Sequence, residues 1–311
     1  MDCSCGKKAV INLLHGPVCK SHFITYFEDK VFKTIKKYNL IARDDVLCVA
    51  ASGGKDSLTV LYLTQKYLKE YNLPLSNLHA LAIDEGIDNY REHTLVDLRF
   101  FCEKYTVPLT IVRAKDEFGY TLDEAVPTMK IKEGKKPCNV CGVWRRYLLN
   151  KYAKKMNATK VITGHNLDDE AQAIMMNTFK ANTKLAAHLG PISGLEEHEA
   201  FVQRVKPLYF CSEKETKLYS ILMKFQVEFA ECPNAAEGLR AHVRDMLNDF
   251  EVQYPGTKQS IINSYLDILP LLKERAKQRA AEPLQECTIC GEPANGKVCN
   301  ACKIVEAMKN G

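Results

Sequence analysis

Short runs rich in Val, Ile and Leu alternate with helical stretches along most of this chain, and that alternation constrains the fold more than any other feature. Strands are expected at 45–51, 78–84, 109–114, 160–163 and 202–210, and helices at 56–71, 90–105, 142–156, 168–180 and 213–225. A further helix is expected at 23–39, and 236–281 reads as helical, broken at Pro255-Gly256 and punctuated at Pro270. Strands joined through helices must run parallel, because a crossover returns the chain to the same edge of the sheet. Continuous apolar strands, rather than alternating ones, mean that both faces are covered. The expectation is an α/β fold with a parallel sheet flanked by helices. At 311 residues, 46% apolar and 26% charged, the chain can bury a sizeable core. No apolar run approaches the ~18 residues of a membrane helix, so no membrane association is expected.

The N-terminus has no basic segment followed by an apolar one, so no secretory signal is read there, and a cytoplasmic, reducing setting is expected. The 13 cysteines, an odd number, are then thiols available to metals or chemistry, or buried small hydrophobes. They cluster at both ends. Cys287-x-x-Cys290 followed by Cys299-x-x-Cys302 is a four-cysteine zinc ribbon pattern. At the other end Cys3, Cys5, Cys19 and His22 form a looser set, with His15 as an alternative ligand. Short segments that cannot build a core are held by metal. This gives modules at 1–24 and 284–311 around a central domain at 25–283, and two Zn²⁺. Cys48, Cys102 and Cys211 read as packing residues.

The first strand runs into Ala51-Ser52-Gly53-Gly54-Lys55-Asp56-Ser57 and then a helix. Glycines permit tight backbone, a helix N-terminus offers free N–H groups, and the Ser and Lys side chains add donors: a phosphate cradle. The spacing is not that of a Walker A loop. It is the SGGxDS signature, and the chain resembles the PP-loop, or ATP-pyrophosphatase, family (adenine nucleotide alpha-hydrolase-like). The resemblance implies ATP and Mg²⁺ at this loop and adenine against the end of the second strand, near Ile83. Gly164-His165-Asn166-Leu167-Asp168-Asp169 resembles the family's second signature. Gly164 and His165 are then placed at the nucleotide. Asp168 and Asp169 are placed near Mg²⁺ or the reacting centre, although acids at a helix start also serve as caps.

Cys138-x-x-Cys141 in mid-chain admits a redox pair, half a zinc site or part of an iron–sulfur site. With Cys232 before Pro233, the ordered motifs resemble the tRNA 2-thiolation enzymes of the TtcA/TtuA type. The resemblance is especially to the branch with zinc fingers at both ends, which includes the archaeal and eukaryotic wobble-uridine thiolases. In that family such cysteines form one site. Three thiolates on a 4Fe-4S cube leave one iron open for a sulfur donor; a persulfide on one of the cysteines is the alternative. The resemblance implies adenylation of a tRNA uridine at C2, with the wobble base first and another tRNA base or position as the alternative. Sulfur would come from sulfide or a ubiquitin-like thiocarboxylate protein, and the family suggests a homodimer. Asp56 and Arg145 join Asp168 and Asp169 as expected catalytic residues.

Charge placement agrees with an RNA partner. Net charge is only +5, yet residues 130–155 hold nine basic side chains and one acid. Lys135, Lys136, Arg145 and Arg146 are the expected tRNA contacts.

Overall fold

The computed structural model describes residues 1–13, 15–195, 198–227, 232–234, 238–278 and 284–309. A hairpin, β1 (Ala9–Leu13) and β2 (Gly16–Cys19), precedes α1 (Lys20–Lys37). Then β3 (Leu47–Ala50), α2 (Lys55–Glu70), β4 (Leu78–Asp84), α3 (Arg91–Tyr105) and β5 (Leu109–Arg113) follow in βα order. The short α4 (Ala114–Phe118), α5 (Leu122–Glu133) and α6 (Pro137–Lys155) lead to β6 (Lys160–Thr163). Next come α7 (Leu167–Phe179), α8 (Thr183–Ala186), β7 (Ile192–Ser193), β8 (Gln203–Val205) and α9 (Glu213–Leu222). Helices α10 (Leu239–Gln253) and α11 (Thr257–Gln278) precede the tail of β9 (Gln285–Glu286), β10 (Pro293–Ala294) and α12 (Asn300–Lys309).

The six-stranded sheet has the order β5-β4-β3-β6-β8-β7. All neighbours are parallel except the antiparallel edge strand β7. The chain winds outward from β3 in both directions, toward β4 and toward β6. The β3–α2 and β6–α7 loops therefore part company above the β3/β6 gap, where open α/β sheets bind ligands. On one face the main core packs α1, α2 and α9 around Phe23, Phe27, Ile35, Leu61 and Tyr219. On the other, α6 covers β4 and β6 through Leu148, Leu149, Ile83 and Val161.

Several boundaries differ from expectation. Helix α6 begins at Pro137, five residues before the expected start, with proline in its first turn; a residue without an N–H fits there, where that donor has no partner. Helix α5, with Pro127 inside it, was not expected. It is nucleated by a capping box in which Thr121 accepts from Glu124 N and the Glu124 side chain accepts in return. Strand 202–210 shrinks to Gln203–Val205, since Pro207 has no N–H for the ladder. Pro270 stays inside α11 without ending it, whereas Gly256, at φ +95°, turns the chain between α10 and α11. The expected helix over 236–281 and the Pro283 boundary fall partly outside the described residues.

The C-terminal ribbon does not stand apart. Cys287, Cys299, Ala301 and Ile304 share a small core with Leu122, Met129, Val140, Cys141 and Trp144 of α5 and α6. Cys48, Cys102 and Cys211 are buried. Burial pushes the first two thiols up, to about 12 and about 11, and raises Cys211 further, as expected of packing residues.

Candidate active site and metal centres

The cradle forms as the sequence requires. Gly53 has φ +86°, and a Cβ there would lie 2.0 Å from the Thr94 carbonyl oxygen. Gly54 caps α2 with no side chain occupying the helix end, so the first N–H groups stay open to an anion. Ser57 Oγ donates to the Gly54 carbonyl at 2.9 Å, and the Ser52 hydroxyl lies 3.2 Å from it. Across the sheet switch point, a Cβ on Gly164 would come 2.9 Å from the carbonyl of Asp56. The second signature's glycine thus lets two backbone loops touch. His165 stands at the exposed rim, with Nδ1 2.9 Å from Thr163 Oγ1.

Lys55 reaches Asp56 at 2.9 Å and Glu213 at 2.8 Å. Burial opposes its charge, but these carboxylates outweigh it and raise its pKa. Burial pushes the Asp56 carboxyl up despite the Lys55 ammonium, and the nearby Asp169 charge adds to the rise. Asn166 joins the two loops, donating from Nδ2 to Asp56 at 3.2 Å.

The two signature aspartates separate in role. Asp168 is buried, pairs with Lys258, and accepts from Glu213 N at 2.7 Å. Both of its oxygens serve packing between α7, α9 and α11. Asp169 closes the α7 capping box with Asn166 and pairs with Arg240 at 2.6 Å, while its charge is felt at Asp56.

An ionic chain, buried at Arg91 and Glu85 and half-exposed at Arg145, links the cradle to the cysteines. Arg91 donates to the Ser52 carbonyl at 2.7 Å and also to the carbonyl of Ile83. Its Nε lies 2.9 Å from Glu85 Oε2, a charge pair without an aligned hydrogen bond. Glu85 Oε1 meets Arg145 Nε at 3.0 Å, and Arg145 Nη2 donates to Cys141 Sγ at 2.9 Å. Glu85, Arg91 and Asn166 were not singled out from sequence. The usable signal was position, since Glu85 and Asn166 follow the carboxyl ends of β4 and β6.

Because α6 starts early, Cys138 and Cys141 stand one turn apart on a single helix face. Cys138 Sγ bonds the Asn234 carbonyl at 3.4 Å, which brings in the segment carrying Cys232. Burial raises the pKa of Cys141, against the Arg145 charge, and raises that of Cys232. Burial, and then Cys232, also push up the Tyr90 phenol beside this site.

The donor sets distinguish two kinds of centre. Cys3, Cys5, Cys19 and His22 bring one ligand atom each to within 4.8 Å of one another, as do Cys287, Cys290, Cys299 and Cys302. Tetrahedral Zn–S bonds of ~2.3 Å require sulfurs about 3.8 Å apart. Cys5 and Cys19 are at 3.6 Å, and Cys290 and Cys299 at 3.8 Å. Backbone N–H groups of Cys5 and Cys19 pull the Cys3 thiol down to about 5. Against the cost of burial, N–H groups of Cys299, Ile289 and Cys290 hold Cys287 near 6. Burial pushes the Cys299 and Cys302 thiols up instead, so each set has a readily ionised thiol among donors that could hold a cation. His15 is not in the set and lies tilted against Tyr26, ring centroids 5.2 Å apart. Cys138, Cys141 and Cys232 do not form such a tight group among the described residues. Their spacing thus differs from that of the two four-ligand sets, and Arg145 donates to one of the three.

Of the expected RNA contacts, Lys135 pairs with Glu133 at 2.5 Å and the half-exposed Arg145 pairs with Glu85. Arg146 is exposed on α6.

Comparison with known proteins agrees with this geometry. A PP-loop domain model matches residues 24–249. The tRNA-5-methyluridine(54) 2-sulfurtransferase of Pyrococcus horikoshii is 35% identical over 307 residues, covering 97% of this chain and 93% of that protein. The tRNA 2-thiolation protein NcsA of Haloferax volcanii is 32% identical over 323 residues, covering 99% of each. The solved U34-tRNA thiolase NcsA of Methanococcus maripaludis, with its 4Fe-4S cluster, matches at TM-score 0.78 and 32% identity, covering 100% of this chain and 96% of that one. With the cradle, the second signature and the cysteine sets all in place, this chain belongs to the PP-loop family of tRNA 2-thiolation sulfurtransferases.

Proposed function

We propose that this protein is a cytoplasmic, ATP-dependent tRNA uridine 2-sulfurtransferase acting on the wobble uridine. The observation that carries the reading is the unbroken chain Ser52–Arg91–Glu85–Arg145–Cys141, which holds a nucleotide cradle and a cysteine trio in one rigid relation. A carbonyl oxygen at uridine C2 is a poor leaving group. Its attack on the α-phosphorus of ATP expels pyrophosphate into the loop of residues 52–57. Sulfur then displaces AMP at C2. Lys55 and the α2 N–H groups stabilise the phosphate charge, and Asp56 and Asp169 would hold the Mg²⁺ that neutralises the triphosphate. Arg145 stands between Glu85 and Cys141, where it faces both the adenylate and the incoming sulfur.

A 4Fe-4S cluster held by Cys138, Cys141 and Cys232 would supply an iron without a protein ligand, a position for the sulfur donor. Sulfide or a ubiquitin-like thiocarboxylate protein would fill that role. The two terminal sets would hold Zn²⁺, with the C-terminal one stiffening α6 through its shared core. The target base must leave its stack for C2 to reach the cradle.

Nucleoside mass spectrometry of tRNA from a deletion strain tests the reading. Loss of a 2-thiouridine nucleoside, restored by the wild-type gene but not by Lys55→Ala, is expected. An unchanged nucleoside profile overturns it. Nuclease mapping distinguishes position 34 from position 54, the site named for the Pyrococcus relative.

A further inference from the structure

The basic segment yields fewer free cations than its charge implies. Lys135 is taken by Glu133 and Arg145 by Glu85. Arg146 has no carboxylate partner among the described residues, and neither does Arg204, which lies far away in sequence. The two meet in the fold. Arg204 sits on β8 opposite Val161, a residue of the sheet face covered by α6, and its Nη2 donates to the Arg146 carbonyl at 3.3 Å. The Arg146 guanidinium lies back over Gly142. A Cβ at that position would stand 3.3 Å from Nη1 and 3.4 Å from Nη2. Gly142 adjoins Cys141, so this pair flanks the cysteine trio.

Two like charges held together repel, and each disfavours the other's charged form. Burial, and then the Arg146 charge, bring Arg204 down to about 10. Arg204 is held on the Arg146 carbonyl and Arg146 lies over Gly142, so two guanidinium groups on neighbouring elements, with no carboxylate partner among the described residues, keep donors for an anion. Guanidinium forks match phosphate oxygens in bidentate geometry.

We propose that Arg146 and Arg204 form a phosphate-binding subsite for the tRNA backbone, next to the base brought to the cysteine trio. This rests on the reading of the chain as a tRNA-modifying enzyme. The subsite fixes the register of the RNA strand without reading its sequence. Arg204 is the new element, since no basic run surrounds it.

The test is the salt dependence of tRNA binding by the full-length protein. Each phosphate contact on a single strand contributes about 0.7 to the slope of log K against log salt. Arg146→Gln and Arg204→Gln are each expected to lower the slope by about 0.7, and the double variant by about 1.4. Arg204→Lys keeps the charge and therefore the slope. Affinity for a non-hydrolysable ATP analogue stays at the wild-type value in every variant. The unfolding midpoint at low salt stays level or rises in the Gln variants, because a repulsion is removed. Wild-type slopes in both Gln variants overturn the subsite. Weakened binding of the ATP analogue with an unchanged tRNA slope assigns the pair to the nucleotide and also overturns it. Failure of the wild-type protein to bind tRNA at all would instead sink the underlying reading.

Discussion

Replacing Asp168 tests the division of labour between the two signature aspartates. Asp168 and Lys258 have side chains 9% and 8% exposed, and they form an ion pair joining α7 to α11. Lys258 also donates to Asn248 Oδ1 at 2.6 Å, and Asp168 accepts the Glu213 N–H at the start of α9. Asp168→Ala leaves a buried ammonium with one neutral partner and a helix N–H without an acceptor. Breaking a buried pair from one side costs about 3–5 kcal/mol. With each kcal/mol worth about 2–4 °C in a chain of this size class, the midpoint should fall by roughly 6–20 °C. Asp168→Asn with Lys258→Met removes both charges and keeps an acceptor for Glu213, so it should recover most of that loss. Circular dichroism melts measure the first quantity, and 2-thiouridine formation per folded molecule measures the second. The double variant should turn over within a few-fold of wild type, whereas Asp169→Asn should fall by about 10²-fold or more. If the double variant is as stable as wild type yet as inactive as Asp169→Asn, Asp168 takes part in the chemistry and the assignment is wrong.

Three further outcomes are expected. Anaerobically purified protein should be brown and hold about four irons, the content of one 4Fe-4S cluster; Cys232→Ala should bleach it without releasing terminal zinc, and an active, iron-free Cys232→Ala would favour a direct persulfide. Asp56→Asn should raise the unfolding midpoint of nucleotide-free protein at neutral pH while abolishing adenylation. Since burial raises the folded-state pKa of Asp56, its ionised form opposes folding above that value, so the gain should vanish as pH drops below the unfolded carboxylate range; a gain that grows on acidification contradicts the sign. Chelation of the C-terminal metal should speed amide exchange in α5 and α6, against which α12 packs, and exchange confined to 284–309 would show that the ribbon is only an appendage.

The sequence by itself determined the parallel sheet, the glycine-bearing turn into α2 and the grouping of the terminal cysteines, because each is a local pattern. Apolar runs set strands, glycines with a helix start set an anion site, and short cysteine spacings set a metal loop. Even the loose N-terminal set closed with the residues expected, since hairpin β1–β2 folds Cys3 and Cys5 back onto Cys19 and His22. Local pattern misled where proline was read as punctuation: Pro270 lies within α11, and packing against the neighbouring helices outweighs the hydrogen bond it forgoes. The sequence could not tell which charges are spent on each other. Asp168 and Asp169 are adjacent, yet α7 turns one toward Lys258, ninety residues on, and leaves the other beside the cradle. Arg145 and Arg146 are adjacent too, yet the first is fixed between Glu85 and Cys141 and the second stands with Arg204. Successive helical residues point about 100° apart, so neighbours in sequence meet different partners, and only the tertiary packing decides which partner each one meets.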